Sequence, residues 1–342
     1  MANNTNTPPS LFRHRIFITG GTGFFGKSIL DWLKANEPWH EETHVTVLSR
    51  DPRRFLDSNP AFTNLPWLDF VAGDVRDFVF PDGRYDLMIH GATAASAKLE
   101  QENPDEMYSV ITEGTQHALD FAKHCSAKRF LFVSSGAIYG IQPPALSHIP
   151  ESHEGSPVTA YGKGKKMAEE LCLKVSAGHF DCVTARAFAF VGPHLPLDIH
   201  FAIGNFIRDC LDNHPITIRG DGTPLRSYLY ATDLAEWLWT ILLKGEHARA
   251  YNVGSDEAIS ISDLALKVRA CANTDNPVTV LGTPDPNTPP PRYVPDVTRA
   301  KTEFGLSIRC PLNEAIRRTL AWHRCGQTPY GERTQGKQQR TR

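Results

Sequence analysis

Tyr161 and Lys165 stand four residues apart in AYGKGKKMAEEL, at the start of a helical pattern, which puts both side chains on one face about one turn apart. A lysine so placed stabilises the phenolate and lowers the phenol pKa. Tyr161 then becomes a proton acid and base usable near neutral pH. Upstream, FLFVSSGAIYG carries Ser134 and Ser135 at the C-terminal end of an apolar run, where open α/β sheets bind ligands in their crevice. Ser135 is placed to hydrogen-bond the reacting oxygen. A Y-x-x-x-K spacing alone arises by chance on many helices; its order with a strand-end serine and the glycine turn described next makes it a candidate catalytic set of Ser135, Tyr161 and Lys165.

The second group of residues suits phosphate. RIFITGGTGFFGKSIL places Gly20, Gly23 and Gly26 at three-residue spacing directly after an apolar run and at the mouth of a helix. Gly20 permits a tight turn, Gly23 lets the backbone approach a pyrophosphate, Gly26 lets the helix close on the strand, and the helix N-terminus offers unpaired N–H groups. Candidate cofactor contacts in this segment are Gly20, Thr22, Gly23, Phe24, Phe25 and Gly26. An NAD site ordinarily ends its second strand with an acid for the ribose 2′-hydroxyl; VTVLSRDPRR ends it with Ser49 and Arg50. A guanidinium there fits a 2′-phosphate, so NADP is the expected cofactor, with NAD as the alternative because Asp51 stands within reach of the ribose.

The elements that have to hold these groups follow from periodicity. Short apolar runs at Arg15 to Thr19, His44 to Leu48, Trp67 to Val71, Asp86 to His90, Arg129 to Val133 and Cys182 to Ala187 alternate with helical patterns at Phe25 to Asn36, Asp105 to His124 and from Tyr161 onward. That pattern predicts an α/β fold: a Rossmann-type doubly wound parallel sheet over 14–187, joined to a smaller, interleaved C-terminal α/β substrate domain. The substrate domain is expected over 188–230 and 256–324. The stretch 231–255, with a helix from Asp233 to Leu243 and a strand at Tyr251 to Val253, is expected to return to the main sheet. Pro284 to Pro295 is expected as an extended loop, and residues 1–13 and 325–342 as a flexible start and a loose basic tail.

Composition narrows the partners. The chain has 342 residues, 41% hydrophobic and 22% charged, with a formal net charge of -2, which gives no overall field for nucleic acid or an anionic membrane. Seven scattered cysteines without a C-x-x-C pair read as reduced thiols, and the fourteen histidines never form H-E-x-x-H, so no metal is expected. The polar start MANNTNTPPSLFRH and the lack of any run near the ~20 apolar residues of a membrane span point to a cytoplasmic protein.

Taken together, TGGTGFFG, SSGAIYG and YGKGK resemble the extended short-chain dehydrogenase/reductases, specifically their nucleotide-sugar epimerase/dehydratase branch, over roughly residues 14 to 323. The resemblance extends to GDV at Gly73 to Val75, HGATAAS, GNFI, IRGDGTPLRSYLYATDLA, YNVGS and PDVTRAKTEFGL. It implies that Asp74 and Val75 contact the adenine end and that Ala92 lines the nicotinamide pocket. On the substrate side it implies Thr93 beside the sugar and Asn205, Arg226 and Arg292 on the diphosphate of a nucleoside-diphosphate sugar. It also implies a homodimer through the two long helices, on which Met107, Ile111 and Leu119, and Met167, Leu171 and Val175, are candidate interface residues unless they face the sheet.

Two departures from that branch bear on the chemistry. Its 4,6-dehydratases carry Asp-Glu after the catalytic hydroxyl residue and its sugar-acid decarboxylases a Glu in the same stretch; here Gly136 and Ala137 stand there, and neither transfers a proton. Ala189 replaces a usual Asn. The expected reaction is therefore reduction of a nucleotide-linked 4-keto (6-deoxy)hexose, the alternative a 4-epimerase holding NAD. A non-catalytic NAD(P)-sensing protein is a remote third possibility, opposed by the intact Ser135, Tyr161 and Lys165.

Overall fold

The computed structural model describes residues 14–36, 44–93, 97–198 and 201–325; the expected flexible start 1–13 and all of the expected tail 325–342 except Cys325, which ends the last helix, lie outside the described residues. Strands β1 (Arg15–Thr19), β2 (His44–Ser49), β3 (Leu68–Ala72), β4 (Leu87–His90), β5 (Arg129–Ser135) and β6 (Asp181–Ala187) are joined through helices α1 (Phe24–Ala35), α2 (Pro52–Ser58), α3 (Ala97–Glu102), α4 (Pro104–His124) and α5 (Ala160–Ser176). The second half contributes β7 (Phe190–Val191), α6 (Ala202–Leu211), β8 (Ile216–Ile218), β9 (Leu225–Arg226), β10 (Leu229–Tyr230), α7 (Ala231–Lys244) and β11 (Ala250–Val253). It ends with β12 (Ile259–Ser260), α8 (Ile261–Ala272), β13 (Val278–Val280), β14 (Arg292–Tyr293), α9 (Thr298–Phe304) and α10 (Leu312–Cys325).

The main sheet has the order β11-β6-β5-β4-β1-β2-β3, and every pairing in it is parallel. The strand order reverses between β1 and β4, which opens the crevice in which such sheets bind ligands. Alternation along β1 divides the core: Ile16 and Ile18 pack with α1 and α7 on one face, Phe17 with α4 on the other. Both faces are covered, so the strands are apolar throughout rather than alternating with polar residues.

The helix starts are set by local chemistry. Asp51 accepts the Arg54 N–H at 3.0 Å and Pro52 occupies the first turn of α2; Asn103 accepts the Glu106 N–H at 3.2 Å at the start of α4. In α4, Asp105 and Glu106 sit at the positive end of the helix dipole and Lys123 and His124 at the negative end. Met107, Ile111 and Leu119 of α4 are buried inside the protein's own core, and Leu171 and Val175 of α5 pack against them. Met107, Ile111 and Leu119 thus face the core, whereas Leu171 and Val175 are only partly buried. Met167 is exposed.

The smaller region packs α6, α8 and α10 around its own apolar cluster, including Ile203, Ile207, Leu264 and Ile316. Its strands are very short: β9 lies between β12 and β14, β8 pairs with β13, and β7 with β10. The proline-dense stretch is not wholly loop, because Arg292–Tyr293 forms β14 within it and Pro295 bridges to Ile149. Among the described residues no helix is long and apolar enough to cross a membrane.

Candidate active site

The three glycines of the first turn have different reasons to be glycine. Gly20 has φ +75°, and a Cβ there would lie 2.5 Å from the Gly91 carbonyl carbon; a Cβ on Gly26 would lie 2.2 Å from Gly21 Cα. Both are dictated by the protein's own backbone. A Cβ on Gly23 would meet only the Gly20 carbonyl oxygen at 3.5 Å, so nothing in the fold forbids a side chain at this exposed position. Gly23 is also the N-cap of α1 and supplies no side-chain hydrogen bond to the first turn. Open ground beside uncapped N–H groups fits the pyrophosphate of a dinucleotide. Thr22 is half-buried in the same turn, while the rings of Phe24 and Phe25 pack inward, Phe25 edge-on to Phe190 at 4.9 Å. These two residues therefore offer a phosphate their backbones rather than their rings.

At the far end of β2, Ser49 is buried and accepts the Asp51 N–H at 3.3 Å, whereas Arg50 is exposed. The Asp51 carboxylate is engaged as the α2 cap. Asp74 accepts the backbone N–H of Arg76 at 3.1 Å and its Nε at 3.0 Å, and Arg76 continues to Glu106 at 2.8 Å. Burial pushes the Asp74 carboxyl up, but the bonds to Arg76 and the nearby charge of Arg50 more than reverse it, so it is held below its usual range. Val75 packs against Gly114 of α4.

The catalytic helix is fixed at its start from two sides. Glu100 of α3 accepts the Ala160 N–H at 2.6 Å and the Tyr161 N–H at 3.0 Å, and Thr159 accepts the Gly162 N–H at 3.0 Å. Burial raises the Tyr161 phenol pKa, and the Ser135 and Thr93 hydroxyls pull it back. Thr93 Oγ1 is buried without a hydrogen-bond partner among the described residues. Lys165 is buried too: its Nζ donates to the Val133 carbonyl at 2.8 Å, 4.9 Å from the Phe132 ring centre and 5.9 Å from that of Tyr161. Burial lowers its pKa to about 7. Lys165 Nζ is thus turned towards Val133, and burial keeps the Tyr161 phenol pKa above its usual value.

Below this pair lies His90, wholly buried, with Nδ1 2.7 Å from Thr19 Oγ1 and Nε2 3.0 Å from Thr115 Oγ1. Thr115 spends its only hydroxyl proton on the Ile111 carbonyl at 2.6 Å. Nε2 must therefore carry the proton and Nδ1 accept from Thr19, an assignment made from the network. Burial, with help from the Lys165 charge, lowers the His90 pKa to about 3. Thr19 in turn accepts the Ala92 N–H at 3.2 Å, which ties the loop after β4 to the glycine turn.

Behind Ser135 runs a polar network that single-residue motifs did not reveal. Glu169 accepts from Ser134 Oγ at 2.5 Å and from Arg186 Nη2 at 2.8 Å; Arg186 Nη1 donates to Tyr139 Oη at 2.9 Å, and Tyr139 to Asn252 Oδ1 at 2.8 Å. Burial raises the Tyr139 phenol to about 12 against the pull of Arg186. The network clamps α5, β5, β6 and β11 around the 136–139 turn.

On the substrate side, Asn205 Oδ1 accepts from Arg208 at 3.3 Å, and Arg226 on β9 donates to the Leu225 carbonyl at 2.9 Å. The parallel pairing of β14 with β9 sets Tyr293 beside Arg226 and Arg292 beside Leu225. The Arg226 guanidinium lies 6.0 Å from the Tyr293 ring centre, so these two share a face, and alternation turns Arg292 to the other. Tyr293 thus reaches the catalytic centre unanticipated: its hydroxyl lies 2.7 Å from where a Gly136 Cβ would be, and its ring packs on Phe188 at 4.7 Å. The available signal was the glycine at 136 itself. Ala189 uses its carbonyl to accept the Leu229 N–H at 3.1 Å.

Comparison with known proteins agrees with this geometry. The profile of the NAD dependent epimerase/dehydratase family matches residues 16–254. UDP-glucuronic acid decarboxylase 6 of Arabidopsis thaliana is 28% identical over 309 residues, covering 88% of this chain and 86% of its own. The same-named decarboxylase 1 of Xenopus tropicalis is 26% identical, covering 91% and 72%. Among solved structures, UDP-glucose 4-epimerase of Thermotoga maritima with UDP-glucose superposes with a TM-score of 0.76 at 22% identity, covering 91% of this chain and 98% of that one. At that identity the likeness is one of fold.

Proposed function

The chain belongs to the NAD dependent epimerase/dehydratase family, and from that premise we propose that it reduces a 4-keto sugar carried on a nucleoside diphosphate, using NADPH. The observation that carries this reading is the turn that follows Ser135: Gly136 and Ala137 place no carboxylate there, so Tyr161 is the proton donor the motif supplies. Such a set handles one proton at one oxygen, and it lacks the further acid and base that elimination of water requires.

The dinucleotide would be held by the Gly20–Gly26 turn, Arg50 and Asp74, and the chemistry it supplies when bound is hydride transfer. Tyr161 gives its proton to the oxygen at C4. Ser135 and Thr93 hydrogen-bond that oxygen and stabilise the phenolate left on Tyr161. Lys165, its pKa lowered to about 7 by burial, adds positive charge one helical turn away when protonated. Asn205 and Arg226 would hold the diphosphate from the opposite wall. Glu100 keeps the first turn of α5, and with it Tyr161, in place.

NADPH is preferred because Arg50 closes β2 and Asp51 is engaged as a helix cap. A second reading, a 4-epimerase with resident NAD, draws support from fold relatives described as UDP-glucose 4-epimerase with NAD. Denaturing the purified protein and identifying released dinucleotide by mass spectrometry separates the two. The reductase reading expects no retained NAD and NADPH bound about tenfold more tightly than NADH, with Arg50→Ala abolishing the difference. Retained NAD would overturn the reductase reading and direct the next assay to UDP-hexose interconversion.

A further inference from the structure

Tyr161, Lys165 and Glu169 follow one another at four-residue spacing along α5, so all three lie on one face of the helix, with neighbouring Cβ atoms about 5–6 Å apart. Glu169 takes no part in the proton transfer, yet only 12% of its side chain is exposed. The strand that holds Lys165 also holds this carboxylate. Lys165 Nζ donates to the Val133 carbonyl at 2.8 Å, and Ser134, the next residue of β5, donates from Oγ to Glu169 at 2.5 Å. The ammonium and the carboxylate are thereby drawn to adjacent residues of one strand. Arg186 of β6 fixes the carboxylate from the other side, through Nη2 at 2.8 Å and through Nε at 3.1 and 3.2 Å to its two oxygens.

A lysine taken out of water tends to give up its proton, and burial lowers the pKa of Lys165 to about 7. The groups that face it offer little to oppose this. His90 of β4 is held neutral, Tyr161 keeps its proton near neutrality, and burial pushes the Cys172 thiol up, so it too is uncharged where Lys165 titrates. Glu100 of α3 is spent on the N–H groups that start α5, and Arg186 is itself a cation. We propose that Glu169 is a positioning residue of the catalytic helix: anchored by Ser134 and Arg186 one turn beyond Lys165, its carboxylate offsets the Arg186 charge and keeps Lys165 an ammonium beside Tyr161. Its oxygens are committed to Ser134 and Arg186, so the effect reaches Lys165 through space. An ammonium there favours the phenolate left on Tyr161 by proton transfer, and a neutral amine does not. The inference rests on the reading of Tyr161 and Lys165 as the working pair.

The test is an NMR titration of protein labelled with 13C at lysine Cε, with the Lys165 signal identified by its loss in Lys165→Met and circular dichroism confirming the fold at each pH. Exposed lysines titrate at about 10.4, so the Lys165 midpoint stands apart from theirs. Glu169→Gln keeps the shape of the side chain, and it is expected to lower the Lys165 midpoint by about one pH unit. A residue that merely braced the helix would act in the opposite direction, because a loosened site admits water and raises a buried lysine towards its ordinary value. Where Glu169→Gln fails to fold, Glu169→Leu combined with Arg186→Met removes both charges of the pair and is expected to lower the midpoint by about half a unit. A midpoint unchanged or raised in the folded variant overturns the proposal. The titration needs no substrate: a protein inert towards every 4-keto nucleotide sugar but showing the lowered midpoint would refute the proposed reaction and leave the role of Glu169 standing.

Discussion

At the dinucleotide end of the cleft, main chain meets main chain: Gly20 lies against Gly91, and Gly26 against Gly21. At the opposite end, where the sugar is proposed to bind, the walls are side chains brought together from distant segments, Phe188 just after β6, Arg226 from β9 and Tyr293 from β14. The contrast shows two ways of holding a site rigid. Backbone contact tolerates no added atom, whereas a side-chain assembly fails when one partner is withdrawn.

Withdrawing Arg186 should have the largest effect. Arg186→Met leaves the nearly buried Glu169 with the Ser134 hydroxyl but without its charged partner, and urea denaturation is expected to show a loss of about 3 kcal/mol, with much of it restored by adding Glu169→Leu. A loss below about 1 kcal/mol would show that this end is not held by its polar partners. The complementary insult is an added methyl. Gly26→Ala should cost about 1–3 kcal/mol or more because its Cβ meets backbone. Gly23→Ala should stay within about 0.5 kcal/mol of the parent protein yet weaken dinucleotide binding at least about tenfold, read by fluorescence titration. Equal destabilisation by the two alanines would erase the distinction between a glycine required by the fold and one required by the ligand.

The smallest effect is graded. His90 is held neutral, with its pKa lowered to about 3 from 6.5, so the unfolded chain binds a proton that the native protein refuses. The stability this preserves is fully present above pH 6.5 and is lost as pH falls towards 3, by at most about 1.4 kcal/mol per pH unit. Stability measured across that window in His90→Gln should lose this component of the slope; an unaltered slope would place the acid sensitivity elsewhere.

How far the sequence could be read follows the same division. The run Arg15 to Thr19 is β1 to the residue, and the glycine turn and the Tyr161–Lys165 pair declare themselves because spacing of three or four residues is a local property. Small errors have physical causes: Trp67 looked like the start of a strand, and its carbonyl does accept the Val45 N–H at 2.7 Å, but the ladder proper begins at Leu68. Tyr293 was out of reach because its position depends on the register of strands two residues long, and the direction of Lys165 because only the packing around it shows Val133 to be its partner. Arg186 stood in view as an ordinary strand residue; its four-way network spans Ser134 to Asn252 and leaves no mark in either segment alone.

The outermost strand of the main sheet, β11, has a consequence for biosynthesis. It pairs with β6 but is separated from it by the whole stretch 188–249. At roughly 5–20 residues per second a ribosome takes several seconds to cover that distance, and throughout it the outer N–H and C=O groups of β6 have no strand beside them. A nascent chain halted before residue 250 is therefore an unfinished sheet with an open, adhesive rim.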